Sequence, residues 1–291
     1  MKIRLRGVTV GGLDTSVSIE KFSTSGWEVR THDTARAGGN GVLPGRDLLG
    51  KDTWAFSLAA YRSYSLEEGR AALAELETRW RAPAAPGVLQ ELDYLLDDST
   101  EWRTVFGRPR KFVVGAPDVH ARMGVVKAQC EFDVLDPLSY AAASDVVSAS
   151  LVVRASRVTR GFMFPARFPL AIMGGVDTGE KSVRIAVPGS APAPVVVTFY
   201  GPCTMPAFKA GNNVLRVAGR IPAGDCVRVD TRTGVVTNKA GGFVPFMVDA
   251  RDRAFQWRLE PGEHTLTGFA VAGSTDDVRI DVQVLPAFTT I

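Results

Sequence analysis

Apolar side chains recur at every second position through most of this chain, and that period commits it to strands. Val126, Ala128, Cys130, Phe132 and Val134 alternate with Lys127, Gln129, Glu131 and Asp133. Successive side chains of a strand point to opposite faces, so such a run buries one side of a sheet and wets the other. Trp54, Phe56, Leu58 and Ala60 repeat the pattern, as do Ile3 and Leu5 between Lys2, Arg4 and Arg6. The period returns in Val195, Val197 and Phe199, in Val227 and Val229, in Phe255, Trp257 and Leu259, and in Val278, Ile280, Val282 and Val284. The turn Thr231-Arg232-Thr233-Gly234 leads back into Val235-Val236, and Pro261-Gly262 stops the run that ends at Leu259. Short, regularly spaced strands with Gly/Pro turns predict a β-sandwich or jelly roll for this second half.

The first half adds one helix. Ser65 and Glu68 form a capping-box pair, in which each side chain satisfies the other's free backbone N–H. Leu66, Leu73, Leu76 and Trp80 follow at helical spacing and lay one apolar stripe on a sheet, and Pro83 and Pro86 end the element. A hairpin joins Leu92–Leu96 to Trp102–Phe106 through Asp97-Asp98-Ser99-Thr100. The stretch Gly38-Gly39-Asn40-Gly41, closed by Pro44-Gly45, reads as a loop that needs residues tolerant of positive φ. That loop and the Asp97–Thr100 turn read equally as ordinary surface turns or as arms that reach a neighbouring molecule.

A length of 291 residues favours two domains. The composition shifts after Pro137, where residues 138–169 become rich in Ala, Ser and Arg. Residues 1–145 are therefore expected to form one domain, and residues 146–291 a β-sandwich with a leading linker.

Charge excludes little but is informative. The net charge is +3, too small for wholesale nucleic-acid binding. Residues 1–145 carry 18 Lys/Arg against 20 Asp/Glu, and the remainder 16 against 11, so the excess lies in the second half. Arg154, Arg157, Arg160 and Arg167 supply much of it and read as a solvated strand or linker rather than a phosphate site. No apolar stretch follows the Met1–Arg6 segment, so no secretory signal is read there. The uncharged run from Ile185 holds Pro188, Pro192, Pro194, Pro202 and Pro206, too many lost backbone bonds for a lipid-buried helix. Three cysteines, Cys130, Cys203 and Cys226, lack CxxC spacing. They are expected as reduced thiols in a protein assembled in cytoplasm, with a Cys203–Cys226 bridge left open.

No catalytic, cofactor-binding or metal-ligating residue is assigned. His32, His120 and His264 stand apart in sequence, without the HExxH pattern that sets two imidazoles on one helix face. No GxSxG elbow occurs. Gly45 and Gly50-Lys51 match the start of a phosphate loop, but Asp52 stands where a hydroxyl should hold magnesium, and Thr53–Tyr61 alternates like a strand. Asp97-Asp98 and Asp276-Asp277 fall in turns, where Asp is expected for local hydrogen bonds. Trp257 could stack on a sugar, but its alternation with Phe255 and Leu259 favours a core position. Cys130 lies among core side chains, as an inert thiol.

The second half resembles the C-terminal domain of siphophage distal tail proteins. The residues that carry this are Phe164-Pro165, Phe168-Pro169, and Pro194–Phe199 running into Tyr200-Gly201-Pro202-Cys203-Thr204-Met205-Pro206. Ala223-Gly224-Asp225 before Val229-Asp230, Thr233-Gly234-Val235-Val236, and Trp257–Gly262 add to it. Gly41–Gly45, Trp54–Leu58, Phe106-Gly107-Arg108-Pro109-Arg110 and Phe132-Asp133 through Asp136-Pro137 are similar to the family's N-terminal region. The resemblance implies a mainly β chain: an N-terminal belt-type domain with one α-helix that closes a ring, usually a hexamer, then a C-terminal galectin-like β-sandwich. It implies a virion protein of the tail tip, not an enzyme, that joins the tail tube to baseplate, hub or fibre proteins around the tape-measure protein. No membrane, cofactor or specific nucleic acid is expected. A carbohydrate-binding module for host-surface adsorption is the alternative, because a galectin-like sandwich can bind saccharide and fold alone does not decide function.

Overall fold

The computed structural model describes residues 1–12, 15–60, 66–116, 119, 124–153, 157–158, 176–177, 181–248, 257–269 and 278–289, with backbone alone at 66, 68, 69, 72, 157, 158, 176 and 177. The chain divides into two compact units, Met1–Ala142 with Thr289–Ile291, and Ala143–Phe288. Both are mainly β.

The first unit contains, in order, β1 (Lys2–Leu5), β2 (Val8–Val10), β3 (Val17–Thr24), β4 (Val29–Arg30), β5 (Thr34–Ala35), β6 (Val42–Leu43), β7 (Leu48–Leu49) and β8 (Asp52–Ala60). Helix α1 (Leu66–Arg81) follows, then β9 (Gln90–Leu95), β10 (Arg103–Val114), β11 (Val126–Val134) and β12 (Ser139–Ala141). The main sheet runs β2-β1-β9-β10-β11-β8-β3 with every neighbour antiparallel, and β12 pairs with β10. The β9–β10 hairpin sets Tyr94 opposite Arg103 and Gln90 opposite Gly107.

Alternation fills one face of this sheet. Trp54, Phe56, Leu58, Cys130 and Phe132 are buried together with Ile3, Leu5, Leu92 and Tyr94. The helix closes the core with Leu73, Leu76 and Trp80. The Trp80 ring meets Phe56, Phe112 and Phe132 at 6.1–6.4 Å between centroids, and its indole N–H donates to the Glu131 carbonyl at 3.2 Å. Ser65 and the side chains of Leu66 and Glu68 lie outside the described residues, so the capping box does too.

Two expectations change here. Asp133 is not on a wet face: it is 4% exposed, whereas Lys127 and Gln129 on the same strand are exposed. Outer strands β2 and β3 of the sheet meet where the Gly11 amide donates to the Val17 carbonyl at 2.9 Å. Strand twist carries a long sheet round towards its own start in this way. The stretch of residues 138–169 is not a plain linker either. Ser139–Ala141 is a buried strand of the first unit, and Val147–Val153 is an integral strand of the second. Ala and Ser cover a strand poorly, which hides its period. Arg154, Arg160 and the two Phe-Pro pairs lie outside the described residues.

The second unit contains β13 (Val147–Val153), β14 (Arg157–Val158), β15 (Val176–Asp177), β16 (Lys181–Val187), β17 (Val195–Tyr200), β18 (Cys203–Thr204) and β19 (Ala207–Ala210). It continues with β20 (Asn213–Arg216), β21 (Arg220–Ile221), β22 (Cys226–Asp230), β23 (Val235–Asn238), β24 (Gly262–Phe269), β25 (Val278–Val284) and β26 (Ala287–Phe288). Two sheets, β13-β25-β17-β22-β23 and β16-β24-β19-β20, supply the layers. Leu151, Val197, Phe199, Val229, Ile280 and Val282 are buried in the first, and Phe208, Leu215 and Leu266 in the second. The layers meet at Gly268, where an added Cβ would come within 2.6 Å of Val153 and 3.0 Å of Ile280. Only a residue without a side chain lets the sheets approach that closely. The unit is a β-sandwich, and among the described residues no helix is long and apolar enough to cross a membrane.

Candidate assembly surface

Several of the described groups weighed for chemistry are tied into the fold. Asp52, at the false phosphate loop, is 1% exposed and accepts the Trp54 indole N–H at 3.0 Å and the Ser25 hydroxyl at 3.0 Å. His32 lies 3.1 Å from the Arg46 carbonyl and His264 lies 2.6 Å from the Glu260 carbonyl, while His120 is outside the described residues. Trp257 is 4% exposed and stands edge-on to Phe208 at 5.4 Å, so it is no sugar platform. All three cysteines are free. Burial pushes the Cys130 thiol far up and the Cys203 thiol up to about 11, and burial with the neighbouring Asp225 raises Cys226. Thiols so shifted are not nucleophiles at neutral pH. Among the described residues no group of three His, Cys, Asp or Glu could hold a metal ion.

What stands out is an arm. Beyond β3 and β8 the two segments stay paired through Ser25 N–H to Thr53 O at 3.0 Å and Gly50 N–H to Glu28 O at 2.6 Å. Strand β4 then pairs with β7, and β5 with β6, so residues 29–49 form one two-stranded ribbon. The glycine-rich stretch is thus the tip of a hairpin rather than a plain loop. Of its glycines Gly41 has the positive φ, +96°. Gly45 is required for a different reason, since a Cβ there would overlap the His32 carbonyl. Its amide also donates to the Asp33 carboxylate at 2.8 Å.

The arm has no core of its own. Every residue from 28 to 47 is exposed. Val29 is 52% exposed, Leu49 49%, Val42 54% and Leu43 53%. An isolated two-stranded ribbon is marginally stable in water, and exposed apolar side chains beside unpaired strand edges are the makings of a contact surface.

Its root, by contrast, is tied down by side-chain hydrogen bonds. Asp133 accepts the Thr53 hydroxyl at 2.7 Å, Arg110 Nε at 2.8 Å and Lys51 Nζ at 3.2 Å. Burial alone would raise this carboxyl, but those hydrogen bonds and the Lys51 charge outweigh it and hold the group below its ordinary value. Sequence reading missed Asp133 and Asp52 as root residues. Their partners lie up to 82 positions away, and the available signal, Asp inside an otherwise apolar strand, reads equally as an outward face. At the other end of the β9–β10 hairpin, the Asp97–Thr100 turn is closed by Ser99 N–H to Leu96 O at 3.2 Å and Glu101 N–H to the Ser99 hydroxyl at 3.1 Å.

No family model matches the sequence, and no curated protein matches it. Solved structures do match. The Dit protein (gp 19.1) of SPP1, described as a paradigm of the hub adsorption apparatus in phages infecting Gram-positive bacteria, is similar with a TM-score of 0.56 at 12% identity, over 99% of this chain and 98% of that one. A chain of the phage P2 baseplate in its activated conformation with Ca is similar with a TM-score of 0.55 at 11% identity, over 100% and 98%. The strontium form of that baseplate gives 0.53 at 11%, over the same shares. Over its whole length, then, this chain has the fold of a Dit protein of the phage tail hub.

Proposed function

We propose that this chain is a structural, non-enzymatic protein of the virion. In this reading it builds a closed ring, coaxial with the tail, at the tip of a long-tailed phage. The first unit is the belt that closes the ring and the second is a galectin-like sandwich carried on it. The ring joins the tail tube to hub, baseplate or fibre proteins and surrounds the tape-measure protein. The likeness of fold to phage hub and baseplate proteins supports the setting. The arm carries the reading itself: a rooted ribbon whose apolar residues are half exposed has no covering partner among the described residues. Head-to-tail contact between arm and a different surface of the next copy closes into a ring when the rotation per subunit divides the circle.

Replacing residues 30–48 by a two-residue Asn-Gly turn tests this, because such a turn closes β3 onto β8 without touching the root. The shortened protein should keep its circular dichroism and melting temperature and lose its multimer by light scattering. A shortened protein that assembles as the full-length chain does would remove the arm from the interface.

A further inference from the structure

The tip of the arm is set up for a covalent change that needs no enzyme. Four asparagines occur in the chain, Asn40, Asn212, Asn213 and Asn238, and Asn40 alone is followed by glycine. A backbone amide nitrogen can attack the side-chain carbonyl of the asparagine before it when three conditions hold. The following residue must leave the path open, its N–H must be free to lose a proton, and solvent must reach it. Glycine leaves the path open because it has no Cβ. Around Gly41 even an added Cβ would meet nothing within 4 Å beyond its chain neighbours. Asn40 and Gly41 are both exposed. Among the described residues the Gly41 N–H has no hydrogen-bond partner, while its carbonyl accepts the Arg36 N–H at 3.3 Å.

The other three asparagines are set against this reaction. Asn238 accepts the Gly242 amide at 2.7 Å, and the Lys239 amide that would attack it donates to Asp225 at 3.1 Å. Asn212 and Asn213 are followed by Asn213 and Val214, residues with side chains, held in β20 opposite Ala210 and Lys209.

We propose that Asn40-Gly41 is a site of spontaneous deamidation in the folded protein. The Gly41 nitrogen gives up its proton and bonds to Cγ of Asn40, and the side-chain NH2 takes up a proton and leaves as ammonia. Water then opens the cyclic imide at one of its two carbonyls and leaves aspartate or isoaspartate. One water is consumed and one ammonia released, with no change of oxidation state. Either product adds a negative charge where Arg36 is the one charged side chain between Thr34 and Gly45, so the tip changes from cationic to neutral. Isoaspartate also routes the chain through Cβ, one atom longer, inside a hairpin that pairs Ala35 with Val42. A free subunit therefore loses its docking tip with age, whereas in an assembled one the covered tip is kept from water. That consequence rests on the proposed ring; the chemistry does not.

The full-length protein, held at mildly alkaline pH and sampled by peptide mass mapping, tests the site. Asn40 should show the amide-to-acid mass gain well before the other three asparagines. Hydroxylamine, which cleaves the imide, should cut the folded chain between Asn40 and Gly41. Asn40→Gln keeps an amide but lengthens the ring to be closed, and should do neither. If Asn40 converts no faster than Asn238, the site is overturned. Native mass spectrometry reads the consequence: Asn40→Asp, with the product's charge from the start, should form less multimer than Asn40→Gln. Equal multimers from the two would overturn the consequence and leave the site standing. A wild-type protein that stays monomeric overturns the ring and the consequence with it, and the mass gain at Asn40 still decides the site.

Discussion

Asp133 belongs to a strand whose alternation would set it in water, yet it is buried and accepts three side-chain hydrogen bonds. Its folded carboxyl is held below the unfolded value, so the stability it contributes is present above the unfolded pKa and is lost as pH falls through the folded one. Asp133→Asn should therefore cost about 1.5–3 kcal/mol at pH 7, the scale of hydrogen bonds to a charged group. The gap between wild type and variant should shrink as pH drops below about 4, near the unfolded carboxyl pKa. Urea titrations at pH 7 and pH 3 give both numbers, and an equal gap at the two values would assign the loss to packing instead. None of this was legible in the sequence. A period of two reports which face a residue is on, and says nothing of a Lys, a Thr and an Arg that arrive from other strands.

At the scale of elements, legibility tracks the volume of the side chains. Trp80, Leu73 and Leu76 announced the helix and the face it buries, because large apolar groups at helical spacing are stable only when that stripe is covered. Trp80→Ala should lower stability by about 3–5 kcal/mol, as emptying a large aromatic site does. Chemical unfolding checks it; a wild-type midpoint would mean that the ring spends its contacts elsewhere than on Phe56, Phe112 and Phe132. Strand β13 was hidden for the opposite reason: Ser148, Ala149 and Ser150 give the period almost no contrast. The arm was half seen. Gly38–Gly45 marked a turn, but strands two residues long, β4 to β7, leave no period to read, and their pairing appears only once the register is known.

For the whole molecule, strand content and the change of character near residue 140 were legible, because alternation and composition are properties of the chain. Assembly is not, since it depends on what the folded surface leaves uncovered. We propose that the two units are independent domains joined near the exposed turn Ala143–Asp145. Limited proteolysis should cut there first and release two resistant fragments, and loss of both halves together on the first cut would argue for one cooperative body. The central claim is the ring. Native mass spectrometry of the full-length protein measures it most directly, with electron microscopy of the same sample to show closure. The proposed ring predicts one discrete multimer, seen as a closed ring with an open centre. A protein that stays monomeric at high concentration and with its tail neighbours present would contradict it.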